Sequence, residues 1–248
     1  MAILDSEAVI LSSIPQGETS KIVRLLTRNH GRVSVIAKGS RKWKNRFGGV
    51  LEQLNHVSVV YYYKESRDLQ ILTQCDTINP YQGIKSDLDK LALALSIAEI
   101  TQNLFLEESE CIRMFSLLTG SLGELDVAVE NYFTVYWLFL VKFLRINGFG
   151  IDMVHCRKCG IEIGKFPVYF SKSKGGVICG NCVRFEAAKN ISGEAFEIFR
   201  SLQKREEGTS ADVTFSENTI KELNNLFDGY FRFHIEGYMT PNAMKLLG

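Results

Sequence analysis

Over the first eighty residues apolar and polar positions alternate in five short runs, at residues 7–12, 21–27, 32–37, 57–63 and 69–75. That period of two is the pattern of a half-buried strand. Val33 and Val35 fall on one side of the third run, with Arg32 and Ser34 on the other. In the fourth run Val57, Val59, Tyr61 and Tyr63 repeat the alternation, while Val60 and Tyr62 make the second face apolar as well. Turn residues separate the runs at Pro15-Gln16-Gly17, Asn29-His30-Gly31 and Gly48-Gly49. Five short strands whose edges need protection predict a small closed barrel of the OB type over residues 1–80.

Beyond Asn79-Pro80 the period becomes helical. Helices are expected over 88–106 and 109–122, then over 127–147 with Asp126 as its N-cap and Gly148 and Gly150 ending it. The third of these has an aromatic-rich centre around Phe133, Trp137 and Leu140, expected to form the middle of a core. Two more helices follow, 193–204 after Ser192 and 217–233 after Ser216, and a short ribbon is expected from 168–170 and 176–178. The predicted class is α+β: an N-terminal five-stranded OB-type barrel followed by a helical domain over 81–248, with a four-cysteine zinc module embedded at about 154–186.

The 248 residues, 46% of them hydrophobic, suffice for one large domain or two modest ones. The most apolar stretch, 132–144, is too short to span a bilayer. The chain opens without the basic segment and apolar core of a secretory signal, so a soluble, cytoplasmic protein with reduced thiols is expected.

Cys156/Cys159 and Cys179/Cys182 are two Cys-x-x-Cys pairs at the spacing of a four-thiolate zinc site. Two residues between thiolates let one tight turn present both sulfurs to one ion, and Gly160 and Gly180 follow a cysteine where the backbone folds back. Four thiolates close the coordination shell and leave no position for water, so one structural Zn2+ is expected and catalytic zinc is not. His155 reads as a neighbour of the first knuckle, and Cys75 and Cys111 as buried free thiols.

The net charge of +1 conceals an uneven distribution. Between Thr19 and Leu51 there is no acidic residue, while Lys21, Arg24, Arg28, Arg32, Lys38, Arg41, Lys42, Lys44 and Arg46 are present. In the stretch 37–49 five of these cations surround Trp43 and Phe47. Cations neutralise phosphates, and an aromatic face stacks on an unpaired base of any sequence. The competing reading is a solvated loop whose Trp and Phe pack on the barrel. The zinc segment is also basic, through Arg157, Lys158, Lys165, Lys172, Lys174, Arg184 and Lys189.

The run 7–11, the Gly-Glu-Thr-Ser-Lys at 17–21 leading into 22–27, and the Ala-Lys-Gly-Ser-Arg at 37–41 resemble the bacterial RecO family of DNA repair proteins. The resemblance implies a barrel, a helical domain and an embedded four-cysteine site in that order. It implies a recombination mediator, associated with the nucleoid, that binds single- and double-stranded DNA and anneals complementary strands. It also implies that the protein works with RecR to load recombinase and binds the acidic tail of single-stranded DNA-binding protein. Lys38, Gly39 and Arg41 match the family's basic motif, and the four cysteines its zinc ligands where those are present. The nucleic-acid-binding residues expected are Arg24, Arg28, Arg32, Lys38, Arg41, Lys42, Trp43, Lys44 and Arg46.

No catalytic residue is expected. The stretch 160–166 lacks one residue and the Ser/Thr of a phosphate loop, and the carboxylates Asp87/Asp89 and Glu107/Glu108/Glu110 sit near predicted helix ends. The alternative of another class is a zinc-stabilised protein-interaction adaptor without annealing activity of its own.

Overall fold

The computed structural model describes residues 2–43, 47–103, 110–164, 166–204 and 215–247. Lys44, Arg46, Lys165, Glu107, Glu108 and the predicted helix boundaries at 106 and 109 lie outside them. The chain forms two compact units, residues 1–128 with 241–248, and residues 129–240.

The first unit holds the barrel, made of β1 (Ala2–Gln16), β2 (Ser20–Thr27), β3 (Gly31–Ala37), β4 (His56–Tyr63) and β5 (Leu69–Asn79). Strand order is β1-β2-β3-β5-β4, closed by the pairing of β4 with β1. All ladders are antiparallel except β3 with β5, where Ser34, Val35 and Ile36 face Leu69, Gln70 and Ile71 in parallel. β1 is long because it serves two neighbours: its first half pairs with β4 and its second with β2. A bulge between Ile10 and Ser12 bends it between the two tasks. Pro15-Gln16 therefore belong to the strand, and the turn begins at Gly17, whose φ is +59°.

Alternation fills the barrel. Ala8, Ile10, Val23, Leu25, Val35, Ala37, Val57, Val59, Tyr61 and Leu72 point inward, and Phe47 and Leu51 from the β3–β4 connection join them. The second apolar face of β4 belongs to a belt on the outside of the barrel. Ile14 pairs with Ile22, Ile22 with Ile36, Ile36 with Ile71, Ile71 with Tyr62 and Tyr62 with Ile3. Such aligned cross-strand pairs fix the register of all five strands.

Gly31 opens β3 at φ +63°, and a Cβ there would stand 2.8 Å from Cys111 Sγ. Gly31→Ala is expected to lower stability by about 2–5 kcal/mol, from left-handed strain of ~1–2 kcal/mol and overpacking of ~1–3 kcal/mol. Adding Cys111→Ala should recover the packing part only. Urea denaturation of both variants checks this; a Gly31→Ala protein as stable as its parent contradicts it.

Helices α1 (Gln82–Lys85), α2 (Leu88–Asn103) and α3 (Cys111–Val127) complete the first unit with the 3-10 turn Asn242–Leu247. α2 is buried along most of its circumference, through Leu93, Ala94, Ile97, Ala98 and Ile100. The turn is anchored to it by Asn242, whose backbone amide and side-chain Nδ2 donate to the Glu99 carboxylate at 2.9 and 3.1 Å. Asp126 is no N-cap: α3 runs through it, and its carboxylate accepts the Ile84 amide at 3.0 Å. The next helix, α4 (Tyr132–Ile146), starts after Asn131, which adopts φ +58° and makes no side-chain cap bond.

The second unit packs α4 with α5 (Gly193–Lys204) and α6 (Glu217–His234). Trp137 is fully buried and its indole N–H donates to Asn224 Oδ1 at 2.8 Å; Phe139, Phe143, Phe227 and Phe231 are buried with it. Ser192 and Ser216 act as the predicted N-caps, accepting the amides of Ala195 and Thr219. Between α4 and α5 the expected ribbon, β6 (Val168–Ser171) with β7 (Gly176–Cys179), gains a third strand, β8 (Lys189–Ile191), on the far edge of β6.

Candidate metal centre and nucleic-acid interface

The four sulfurs of Cys156, Cys159, Cys179 and Cys182 lie within 4.8 Å of one another, with Cys159 and Cys179 at 3.9 Å. The edge of a tetrahedron with metal–sulfur bonds of 2.3 Å is about 3.8 Å. Each knuckle is a tight turn: Gly160 N–H donates to the Cys156 carbonyl at 2.8 Å, and Cys182 N–H to the Cys179 carbonyl at 3.0 Å. Gly160 needs its permissive backbone, at φ +77°. Gly180 does not: its φ lies outside the left-handed region, and a Cβ there would make only ordinary contacts.

The electrostatics also favour a cation. Burial alone would raise the Cys156 thiol, but amide donors from Cys159, Cys179 and Lys158 outweigh it and bring it to about 6. A first thiolate burdens the others. Cys182 is pushed up to about 12 by desolvation, then by hydrogen bonds within the cluster and the charge of Cys156. A divalent ion removes that repulsion, and the donor set can hold one in a closed shell. His155 is not brought into the cluster; its Nδ1 lies 3.7 Å from Asp152 Oδ2.

The predicted nucleic-acid residues fall in three places on the first unit. Arg24 and Arg32 project from the outer face of β2 and β3, where Arg24 pairs with Ser34 and Arg32 with Leu26. They flank a concavity of about 310 Å³ shared with Leu11, Ser34, Gln102 and Asn103. The Arg32 guanidinium donates to the Gln102 carbonyl in the last turn of α2, where helix dipole and cation agree. Arg28 stands apart: it pairs at 3.3 Å with Glu7, whose other oxygen is 3.3 Å from His56 Nε2. Burial lowers the pKa of His56 against the opposing pull of Glu7.

Lys38, Arg41, Lys42 and Trp43 form the third place, just beyond the end of β3, and all four are exposed. Arg41 braces the loop. Its backbone N–H donates to the Thr19 carbonyl at 2.9 Å and its guanidinium to the Gly17 carbonyl at 2.7 Å, joining this loop to the β1–β2 turn. Ser40, absent from the sequence prediction, contributes a buried hydroxyl that donates to the Ala37 carbonyl at 2.8 Å; a serine near a strand end is the only signal for it. The two aromatic residues part company. Trp43 is 98% exposed, whereas Phe47 is 2% exposed inside the barrel. The solvated-loop reading thus holds for Phe47, and Trp43 alone presents a free ring.

In the zinc segment, Arg157 faces Asp152 at 3.6 Å, and Lys158 and Lys174 face Glu186 at 3.1 and 3.8 Å. No described helix is long and apolar enough to cross a membrane.

Comparison with known proteins divides the chain at the end of the barrel rather than between the two compact units. Residues 1–81 match the family model for the N-terminal part of recombination protein O, and residues 85–241 that for its C-terminal part. Among curated relatives, the DNA repair protein RecO of Streptomyces griseus is 30% identical over 95% of this chain and 96% of its own length. That of Streptomyces coelicolor is 31% identical over the same shares, and that of Roseiflexus is 30% identical over 98% of this chain and 84% of the relative. A five-stranded barrel, a helical part and a clustered cysteine quartet thus accompany a match that runs almost end to end, and the chain belongs to the recombination protein O family of DNA repair and recombination.

Proposed function

We propose that this chain is a recombination mediator that binds single- and double-stranded DNA, anneals complementary strands and helps RecR load recombinase onto strands coated with single-stranded DNA-binding protein. The observation that carries the reading is Trp43, 98% exposed beside the exposed cations Lys38, Arg41 and Lys42 on a braced barrel loop. Residues 1–80 act as the nucleic-acid-binding module, and 81–248 supply the helices and the zinc module, with α1 to α3 in the barrel's own compact unit. Arg24 and Arg32 extend the cationic track along the barrel face by roughly 20 Å at a strand rise of ~3.3 Å per residue. Arg28, paired with Glu7, contributes less.

Annealing needs no catalytic group. Two strands repel as polyanions, so a surface that neutralises phosphates and tolerates exposed bases raises their encounter rate. One zinc ion on the four thiolates would hold the two knuckles together and do no chemistry. The setting is the bacterial cytoplasm, at the nucleoid. The helical domain would receive the acidic tail of single-stranded DNA-binding protein.

The adaptor reading differs in one measurable respect. Purified protein should accelerate pairing of two complementary oligonucleotides, followed by loss of fluorescence from an end-labelled pair, with and without the tail peptide. Peptide binding without acceleration would establish the adaptor and overturn the annealing function.

A further inference from the structure

Phe185 is an aromatic side chain that the core of its unit leaves outside: it is 65% exposed. It closes the 3-10 turn Val183–Phe185 that follows Cys182, and its backbone N–H donates to the Cys182 carbonyl at 3.1 Å. The second knuckle therefore sets where the ring stands. The first knuckle meets it there. Lys158 Nζ, between Cys156 and Cys159 in sequence, lies 4.8 Å from the ring centroid, and the Arg184 guanidinium carbon lies 5.5 Å from it. Both distances are those of cation–π contacts. Glu186 holds Lys158 on its other side at 3.1 Å, while Arg184 is exposed and makes no ion pair among the described residues.

We infer that the zinc module is a second contact surface for an unpaired nucleic-acid strand, with Phe185 as the platform on which one base stacks and Arg184 and Lys158 as contacts to the adjoining phosphates. The inference rests on the proposed nucleic-acid binding. Both cations sit at the ends of long, flexible stems, so a base entering over the ring trades a cation–π contact for stacking while the cation swings to the phosphate that the base brings. The chemistry selects the occupant. A duplex offers phosphates but no free base face inside its stack, and an apolar peptide would meet one ring bordered by charge. An unpaired strand supplies the aromatic face and the negative charge together.

The test is equilibrium binding of the full chain to an oligothymidylate and to a blunt duplex of equal length, across a salt series. Phe185→Ala is expected to weaken single-strand binding about 5- to 150-fold, the effect of losing one stacked base. The salt slope and duplex affinity should not change, and Phe185→Trp should restore binding. Arg184→Ala is expected to weaken binding and to reduce the single-strand salt slope by about 0.7. Zinc content and melting temperature confirm that each variant is folded; if Phe185→Ala fails there, Phe185→Trp and Arg184→Ala decide. The inference is overturned if Phe185→Ala binds the single strand as its parent does, or loses duplex affinity equally, or if Arg184→Ala leaves the slope intact. A parent chain that binds neither nucleic acid would refute the proposed function first, and a parent that binds while Phe185→Ala is silent refutes this inference alone.

Discussion

Replacing Cys159 and Cys182 together with serine is expected to abolish binding of one equivalent of zinc and to unfold the segment from about residue 151 to 191 while leaving the barrel intact. The small sheet β7-β6-β8 has only three- and four-residue strands, too short to persist alone. Metal binding in such modules is folding free energy, on the order of 10 kcal/mol in isolated zinc-finger peptides. Here Val168, Val177, Ile178 and Ile191 are buried and already supply part of what the metal supplies there. A loss of several kcal/mol in the second unit is therefore the expected scale. Hydrogen exchange by mass spectrometry reads it directly: amides of β6, β7 and β8 should lose protection, while those of β1 to β5 keep theirs. A variant that retains protection in β6 and β7 without bound metal would show that packing, and not zinc, holds the knuckles.

The second large effect is expected at the cationic loop. Arg41→Ala/Lys42→Ala/Lys44→Ala/Arg46→Ala should weaken single-strand binding by at least tenfold at moderate salt. It should also lower the magnitude of the log–log salt slope by about 0.7 for each phosphate that is no longer neutralised. Trp43→Ala should behave differently. Removing a stacked base costs ~1–3 kcal/mol and releases no counterions, so affinity falls and the slope stays. Because Arg41 also ties its loop to the Gly17 and Thr19 carbonyls, Lys42→Ala/Lys44→Ala/Arg46→Ala removes charge while keeping that tie. Fluorescence anisotropy of a labelled oligonucleotide from low to physiological salt checks all three. An unchanged slope in the quadruple variant would remove the loop from the interface.

The difference between Trp43 and Phe47 marks where sequence reasoning stops. Both lie in the same acid-free stretch, and residue type favours stacking for either. What separates them is tertiary: the barrel core takes in Phe47 and Leu51 from the β3–β4 connection, a demand no local pattern announces. Asp126 fails for a related reason. An aspartate ahead of apolar residues has the form of an N-cap, yet α3 continues through it because its carboxylate meets the Ile84 amide and its carbonyl the close approach of Gly83. A Cβ at Gly83 would stand 2.1 Å from that carbonyl. β8 is invisible to periodicity because Lys189-Asn190-Ile191 is too short to carry a period. The cysteine quartet and the strand alternation are legible because their information is local, in spacing and period.

Asn242 and Glu99 are far apart in sequence and bonded in space, and this has a consequence for synthesis. The first unit begins with β1 but includes residues 241–248, so the second unit is an insertion within it. On the ribosome, residues 129–240 emerge entire before the segment that docks on α2 exists. The barrel can form early, whereas the helical flank of its unit waits for residues 241–248.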